Sequence, residues 1–286
     1  MKLIKKYIAL TKPGIIRGNV MTTAAGFLLA ADGHINWTTL IATVLGTSFV
    51  IGSACTFNNY IDRDIDKKMA RTKKRALVTG EISTVAALTF AALLGTIGFA
   101  ELAIFTNWLT VALGVTAYIF YIAIYAVAKR RTTYGTIVGS VAGALPITAG
   151  YTAASNRLDN GAALLFLSMT FWQMPHFYAI AIRRLKDYKA AGLPVLPAVK
   201  GVHRTKLSML GYIVAYAITT SLLTTTGHTG YLYIFVMLTL SLTWLNLAIR
   251  GFNTGDDVKW AGKLFGFSLI VLLGFSVMIA VNAWIP

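Results

Sequence analysis

The stretch Trp108-Leu-Thr-Val-Ala-Leu-Gly-Val-Thr-Ala-Tyr-Ile-Phe-Tyr-Ile-Ala-Ile-Tyr-Ala-Val-Ala128 carries no charge and then stops on Lys129-Arg130-Arg131. A helix crosses the hydrocarbon core of a bilayer with about 20 apolar residues, so this run is long enough to span one. Working outward, comparable runs occupy 14–31, 38–57, 82–104, 133–153, 161–181, 208–226, 229–249 and 264–285. The chain therefore reads as an all-α, polytopic membrane bundle of about nine transmembrane helices, folded as a single domain over residues 1–286. Met1-Lys-Leu-Ile-Lys-Lys leads into the first run with no small-residue cleavage site, so that span is expected to be retained.

Composition points the same way. Of 286 residues 56% are hydrophobic and 13% charged, with a net charge of +16. A soluble domain carries about 25% charged residues, so an ordinary soluble enzyme is excluded. A nucleic-acid partner would explain the charge but not the hydrophobicity, and none is needed. When the basic residues are assigned to loops, Arg157 alone falls on one side and all the others fall on the opposite one. The positive-inside rule then places the N-terminus in the cytoplasm and Pro286 outside. Cys55 is the single cysteine, which rules out an intramolecular disulfide and a cysteine metal cluster.

Two basic segments hold more than orientation charge. In Asn58-Asn-Tyr-Ile-Asp-Arg-Asp-Ile-Asp66, the residues Asn58, Asp62 and Asp66 recur every four positions, which on a helix makes one stripe. Oxygen donors at that spacing suit a hard divalent cation such as Mg²⁺, which completes its shell with waters and phosphate oxygens. Asp64 points to another face. Arg71, Lys73, Lys74 and Arg75 follow, and cations placed after metal-holding acids are what a diphosphate requires. The bland alternative is a solvated face with pairs such as Asp64–Lys68. The apolar setting of Asn58 favours a site.

The second segment is Phe171-Trp-Gln-Met-Pro-His-Phe-Tyr178 followed by Arg183, Arg184, Lys186 and Asp187. Gln173 and His176 sit inside an apolar run beside Pro175, which frees a backbone carbonyl. Two readings of His176 stand open: it positions a substrate or coordinates iron through a ring nitrogen, or it simply bonds a neighbouring helix. Gln173 carries the same pair of readings. Gly135, Gly139 and Gly143 form a small-residue stripe of the kind that lets helices approach.

On these residues the chain resembles the UbiA superfamily of intramembrane prenyltransferases and, within it, the branch that modifies haem. The likeness runs through Thr11-Lys-Pro-Gly-Ile-Ile16, Asn58–Asp66, Arg71-Thr-Lys-Lys-Arg75, Tyr134–Pro146, Trp172-Gln-Met-Pro-His-Phe-Tyr178 and Lys186–Pro197. The aspartate motif marks the superfamily, and the Trp-Gln-Met-Pro-His segment narrows it. Two positions depart from the superfamily pattern. Asn59 stands where an Asp is usual, and a second aspartate cluster is reduced to Asp187.

The resemblance implies an enzyme that transfers farnesyl from farnesyl diphosphate to a vinyl group of haem B, with water addition, giving haem O and diphosphate. Haem B is then a substrate and Mg²⁺ the cofactor. It implies Asn58, Asp62 and Asp66 as the metal-holding and catalytic residues. Arg71, Lys74, Arg75, Gln173, His176, Arg184, Lys186 and Asp187 are implied as substrate contacts. Aromatic faces, with Trp172, Phe177, Tyr178 and Tyr60 as candidates, would shelter the allylic cation. It further implies a bacterial inner membrane, an active site facing the cytoplasm, and haem A synthase or a terminal oxidase as a partner. Three rival readings are weaker. A transporter should place ionisable groups at mid-span, a quinone-precursor prenyltransferase should keep the second aspartate cluster, and a passive haem carrier has no use for the Asn58/Asp62/Asp66 stripe.

Overall fold

The computed structural model describes residues 2–285, and Pro286, expected on the outer side, lies outside them. Among these residues there are helices and no strands. The long helices are α1 (Pro13–Ala31), α2 (Trp37–Ile61), α3 (Thr84–Phe105), α4 (Trp108–Arg131), α5 (Gly135–Ser155), α6 (Asn160–Arg183), α7 (Gly201–Thr225), α8 (Tyr231–Arg250) and α9 (Asp257–Ala280). Several outrun the apolar runs that announced them. Helix α9 starts at Asp257 rather than at 264 because Asp256 caps it, accepting from the backbone N–H of Val258 and Lys259 at 3.0 and 2.9 Å. Apolarity marks the part in hydrocarbon, and the cap marks the helix end.

By length and composition eight of these helices are apolar enough to cross a membrane. The exception to the expected nine is α6, which matches the predicted span at 161–181 but carries Gln173, Pro175 and His176. Its setting explains the difference. Gly161, Leu165, Met169, Trp172, Met174 and Ala179 are all buried, packed among α5, α7 and α9. A helix walled by other helices need not be greasy. It also runs unbroken through Pro175, losing one backbone bond rather than opening.

Close approach is bought by glycine at two pairs. A Cβ on Gly26 would strike the Ile147 carbonyl, and one on Gly150 would strike that of Thr23, so α1 and α5 lie backbone to backbone. The expected stripe at Gly135, Gly139 and Gly143 serves two neighbours instead of one. Gly135 and Gly139 admit Lys129 and the Tyr125 ring from α4, whereas Gly143 leaves the slot filled by the Gln173 amide of α6. Length, apolarity and these contacts make the chain an integral membrane protein.

Candidate active site

At one end of the bundle, the connecting segments fold together around the helix ends, the mouth of the bundle. The N-terminal helix Lys2–Leu10 packs through Leu10 on Leu77, Ile82 and Ala87. The segment after α6 packs through Ala191 and Leu193 on Ile65 and Met69. These small apolar contacts bring the charged residues of distant segments together.

Helix α2 ends at Ile61, and Asp62, at φ −90° and ψ 4°, caps it before a further turn, Arg63–Asp66. The stripe is therefore not on one continuous helix. Its line survives the break because the backbone N–H of Asp62 reaches the Asn58 carbonyl (2.9 Å) and that of Asp66 reaches the Asp62 carbonyl (2.8 Å). Each of the three side chains has its own cation. Lys12 Nζ donates to Asn58 Oδ1 at 2.7 Å. Lys129 Nζ donates to Asp62 Oδ2 at 2.5 Å, with Arg130 at 3.6 Å from Oδ1. Arg75 Nη1 donates to Asp66 Oδ2 at 2.5 Å and to Asn59 Oδ1 at 3.1 Å.

Asn59 stands where the resemblance implied an acid, and its contacts show why an amide fits. Its Oδ1 accepts from Arg75 while its Nδ2 donates to the Leu10 carbonyl at 2.8 Å. A carboxylate would keep the first bond and lose the second. Asp64 stands apart: the Arg130 fork grips both its oxygens at 2.7 and 2.8 Å. That hydrogen-bonded guanidinium pulls the Asp64 carboxyl down to about 2. The pair Asp64–Lys68 suggested by spacing gives way to this tertiary one.

Arg71, Lys73, Lys74, Arg184 and Lys186 are exposed around the mouth. Asp187 Oδ1 accepts from the Ala70 N–H at 3.2 Å, tying the loop after α6 to the loop after α2. Tyr188 lies beside Arg71, Asp187 and Arg184, and burial pushes its phenol up. Beneath the acids, Tyr121 approaches Asn58 Oδ1 at 3.5 Å from a π-helical turn of α4, Phe120–Ile124, and stacks on Tyr125 at 5.7 Å. Wider turns of this kind recur at functional sites. Of the aromatic candidates, Tyr60 and Phe177 turn outward, 38% and 41% exposed, while Trp172 and Tyr178 are buried.

Deeper in the bundle, Gln173 Nε2 donates to the carbonyls of Ser140 (3.2 Å) and Met169 (3.0 Å), which fastens α6 to α5. His176 Nδ1 lies 2.7 Å from Ser268 Oγ of α9. Its ring stacks on Trp172 at 4.7 Å and 25° and leans on Phe265 at 4.8 Å.

Lys12, Lys129 and Arg130 read in sequence as orientation charges, and Tyr121 and Ser268 gave no reading at all. The one usable signal was level: Lys129 ends its span on the same side as Asp62 ends its own. Among the described residues no three His, Cys, Asp or Glu side chains converge on a point, so any bound cation here would rely on phosphate or water for the rest of its shell.

The chain matches the model of the UbiA prenyltransferase family over residues 19–282. A protoheme IX farnesyltransferase of Klebsiella pneumoniae subsp. pneumoniae is 48% identical over 285 residues, covering 99% of this chain and 97% of that one. One from Escherichia coli O1:K1 is 47% identical, covering 99% and 96%. Among solved structures, a digeranylgeranylglyceryl phosphate synthase superposes with a TM-score of 0.81 at 18% identity, over 99% of both chains. A UbiA homologue from Archaeoglobus fulgidus bound to GPP and Mg²⁺ gives 0.73 at 18% identity, over 96% of this chain and 99% of that one. Matched along nearly its whole length, the chain belongs to the UbiA prenyltransferase family.

Proposed function

We propose that the protein transfers the farnesyl group of farnesyl diphosphate to a vinyl group of haem B, with water addition, yielding haem O and diphosphate. The observation that carries this reading is the meeting of Asn58, Asp62 and Asp66 with Lys12, Arg75, Lys129 and Arg130 over an interior that is otherwise apolar and aromatic. An anionic leaving group belongs at such a mouth, and a hydrocarbon chain belongs below it. The near-half identity to proteins named protoheme IX farnesyltransferase supports both the farnesyl donor and the haem acceptor.

The donor set fits a hard cation. Asp62 Oδ1 is buried without a hydrogen-bond partner and so is available to a cation, while the unpaired Asn58 Nδ2 is a donor suited to an anion oxygen. Asn58, Asp62 and Asp66 would hold Mg²⁺, the ion that accompanies GPP in the Archaeoglobus homologue, and its chemistry when bound is that of a Lewis acid toward the diphosphate. The chain's own cations do the rest of the electrostatic work. Lys12, Lys129 and Arg75 sit where negative charge grows as the C–O bond to diphosphate breaks, in a setting that favours preorganised charge. Arg71, Lys74, Arg184 and Lys186 ring the entrance and capture the anion. Tyr121 and Tyr125 present electron-rich faces one turn below, where an allylic cation would form shielded from bulk water. We place the site on the cytoplasmic side of a bacterial inner membrane, following the basic-residue asymmetry.

The test supplies purified protein with haem B, labelled farnesyl diphosphate and Mg²⁺. Prenylated haem identified by mass supports the reading. Label appearing on a quinone precursor and not on haem would replace it.

A further inference from the structure

The hydrogen-bond directions around His176 assign its tautomer. Ser268 Oγ donates its only hydrogen to the Phe265 carbonyl at 2.6 Å. Toward His176 it must therefore accept, and the proton sits on Nδ1. Trp172 confirms the rigidity of this corner, because its Nε1 donates to the Ser268 carbonyl at 2.8 Å while its ring covers one face of the imidazole. Phe265 and Phe177 close on other sides at 4.8 and 5.2 Å.

That leaves Nε2 with its lone pair. It bonds no group among the described residues, and it is not one of the partnerless side-chain atoms sealed inside the protein. The residue as a whole is 8% exposed. A buried imidazole with Nδ1–H pinned to an oxygen and Nε2 bare is the arrangement of a metal-binding histidine. The pinned N–H sets the tautomer and orientation, and the free nitrogen coordinates in the ring plane.

Resting on the haem acceptor proposed above, we infer that His176 Nε2 is the axial ligand to the iron of the haem substrate, with Ser268 and Trp172 as positioning residues. The bond fixes where the porphyrin lies. His176 is seven residues before Arg183, about 10 Å along the helix, and Arg183 spreads over the same Phe265 ring at 5.5 Å. A porphyrin ligated by Nε2 thus lies against α6 and α9 with a guanidinium toward the mouth to meet its carboxylates. The vinyl edge is then held at a set depth below the acids instead of sliding in an apolar cavity.

The experiment is absorption and EPR spectroscopy of purified protein titrated with ferric haem B, without farnesyl diphosphate. Wild type should give a histidine-ligated ferric spectrum. His176→Ala should lose that spectrum and recover it on adding imidazole. Ser268→Ala, which keeps the ligand but frees its tautomer, should weaken haem affinity about tenfold, at the low end of what outer-shell changes cost. Asp62→Asn should leave the spectrum unchanged, separating the iron site from the diphosphate site. If His176→Ala does not fold, the Ser268→Ala shift alone decides, and no shift in it overturns the assignment. A His176→Ala spectrum identical to wild type overturns the iron ligand. If such a variant, supplied in a separate assay with farnesyl diphosphate and Mg²⁺, releases a product one water lighter than haem O, His176 is instead the base that acts on water. Wild type that binds no haem at all defeats the acceptor reading itself.

Discussion

Lys12 closes the chain's N-terminal segment over the end of α2 by donating to Asn58 Oδ1 at 2.7 Å. To do so it adopts a left-handed backbone, φ 53°, immediately before Pro13. That conformation is uncommon for a residue with a Cβ and is retained where the surroundings hold it. Burial lowers the Lys12 pKa below the ordinary lysine value of 10.5. Lys12→Met is expected to lower kcat/KM at least tenfold, and Lys12→Arg to retain most activity. The sign for pH follows from the lowered pKa. The cation needed at the mouth is lost as pH rises through a value below 10.5, so the alkaline limb of the rate profile should move upward in Lys12→Arg. A limb unmoved by that substitution would detach Lys12 from the reaction.

Asp62 and Asp66 are equally spaced from their neighbours but differently housed. Asp62 keeps one oxygen free of any hydrogen bond, whereas Asp66 is buried, 2% exposed, against Arg75. Asp62→Ala and Asp66→Ala should each abolish turnover, a loss of at least the 10²–10³-fold typical of removing a preorganised electrostatic group. Both proteins should still insert in the membrane. Each should in addition lower thermal stability, since Asp66→Ala leaves the Arg75 guanidinium only Asn59 and Asp62→Ala leaves the Lys129 ammonium without its carboxylate. Product formation by washed membranes and melting of the purified variants check the two effects.

Asp64 supplies the control. Its carboxylate belongs to the Arg130 fork and faces water, 64% exposed. Asp64→Asn should leave kcat within about twofold of wild type, because surface ion pairs contribute little. Its depressed pKa means the pair persists above the ordinary carboxylate range and is lost only as pH falls through about 2. A large loss of activity in Asp64→Asn at neutral pH would place the metal stripe on the wrong acid.

Much of the fold was legible because the bilayer writes it in apolar runs, and much of the site because acids beside a membrane are conspicuous. The failures share a cause. Lys12 and Lys129 are indistinguishable in sequence from topology charges, since the tertiary partner that draws each into the candidate site lies 46 and 67 positions away. Asn59 read as a departure until Leu10 appeared on its other side. Helix α6 read as an ordinary span because a run of apolar letters does not say whether lipid or protein faces it. Ser268 had no sequence signal whatever: one serine in a greasy helix gains meaning only from the histidine it orients.

Gly143 offers a test of packing that leaves the charges alone. A side chain there would collide with the Gln173 amide, which fills the slot and bonds α5 through Ser140. Overpacking a tight interface costs about 1–3 kcal/mol. Gly143→Val should therefore melt several degrees lower and lose the α5–α6 register. Gly143→Val combined with Gln173→Ala should recover part of the stability by emptying the slot. An additive double variant would show that the two residues do not share it.

Orientation is open to direct measurement because Cys55, the single cysteine, is buried. New cysteines at Lys73 and Lys189 should react with a membrane-impermeant maleimide only after the membrane is opened. One at Arg157, the lone basic residue on the opposite side, should react in intact cells. The prediction rests on charge asymmetry alone, since every residue of the proposed mouth belongs to the basic face. The reverse labelling pattern would turn the site toward the outer compartment. The farnesyl donor and haem would then have to be delivered from that side.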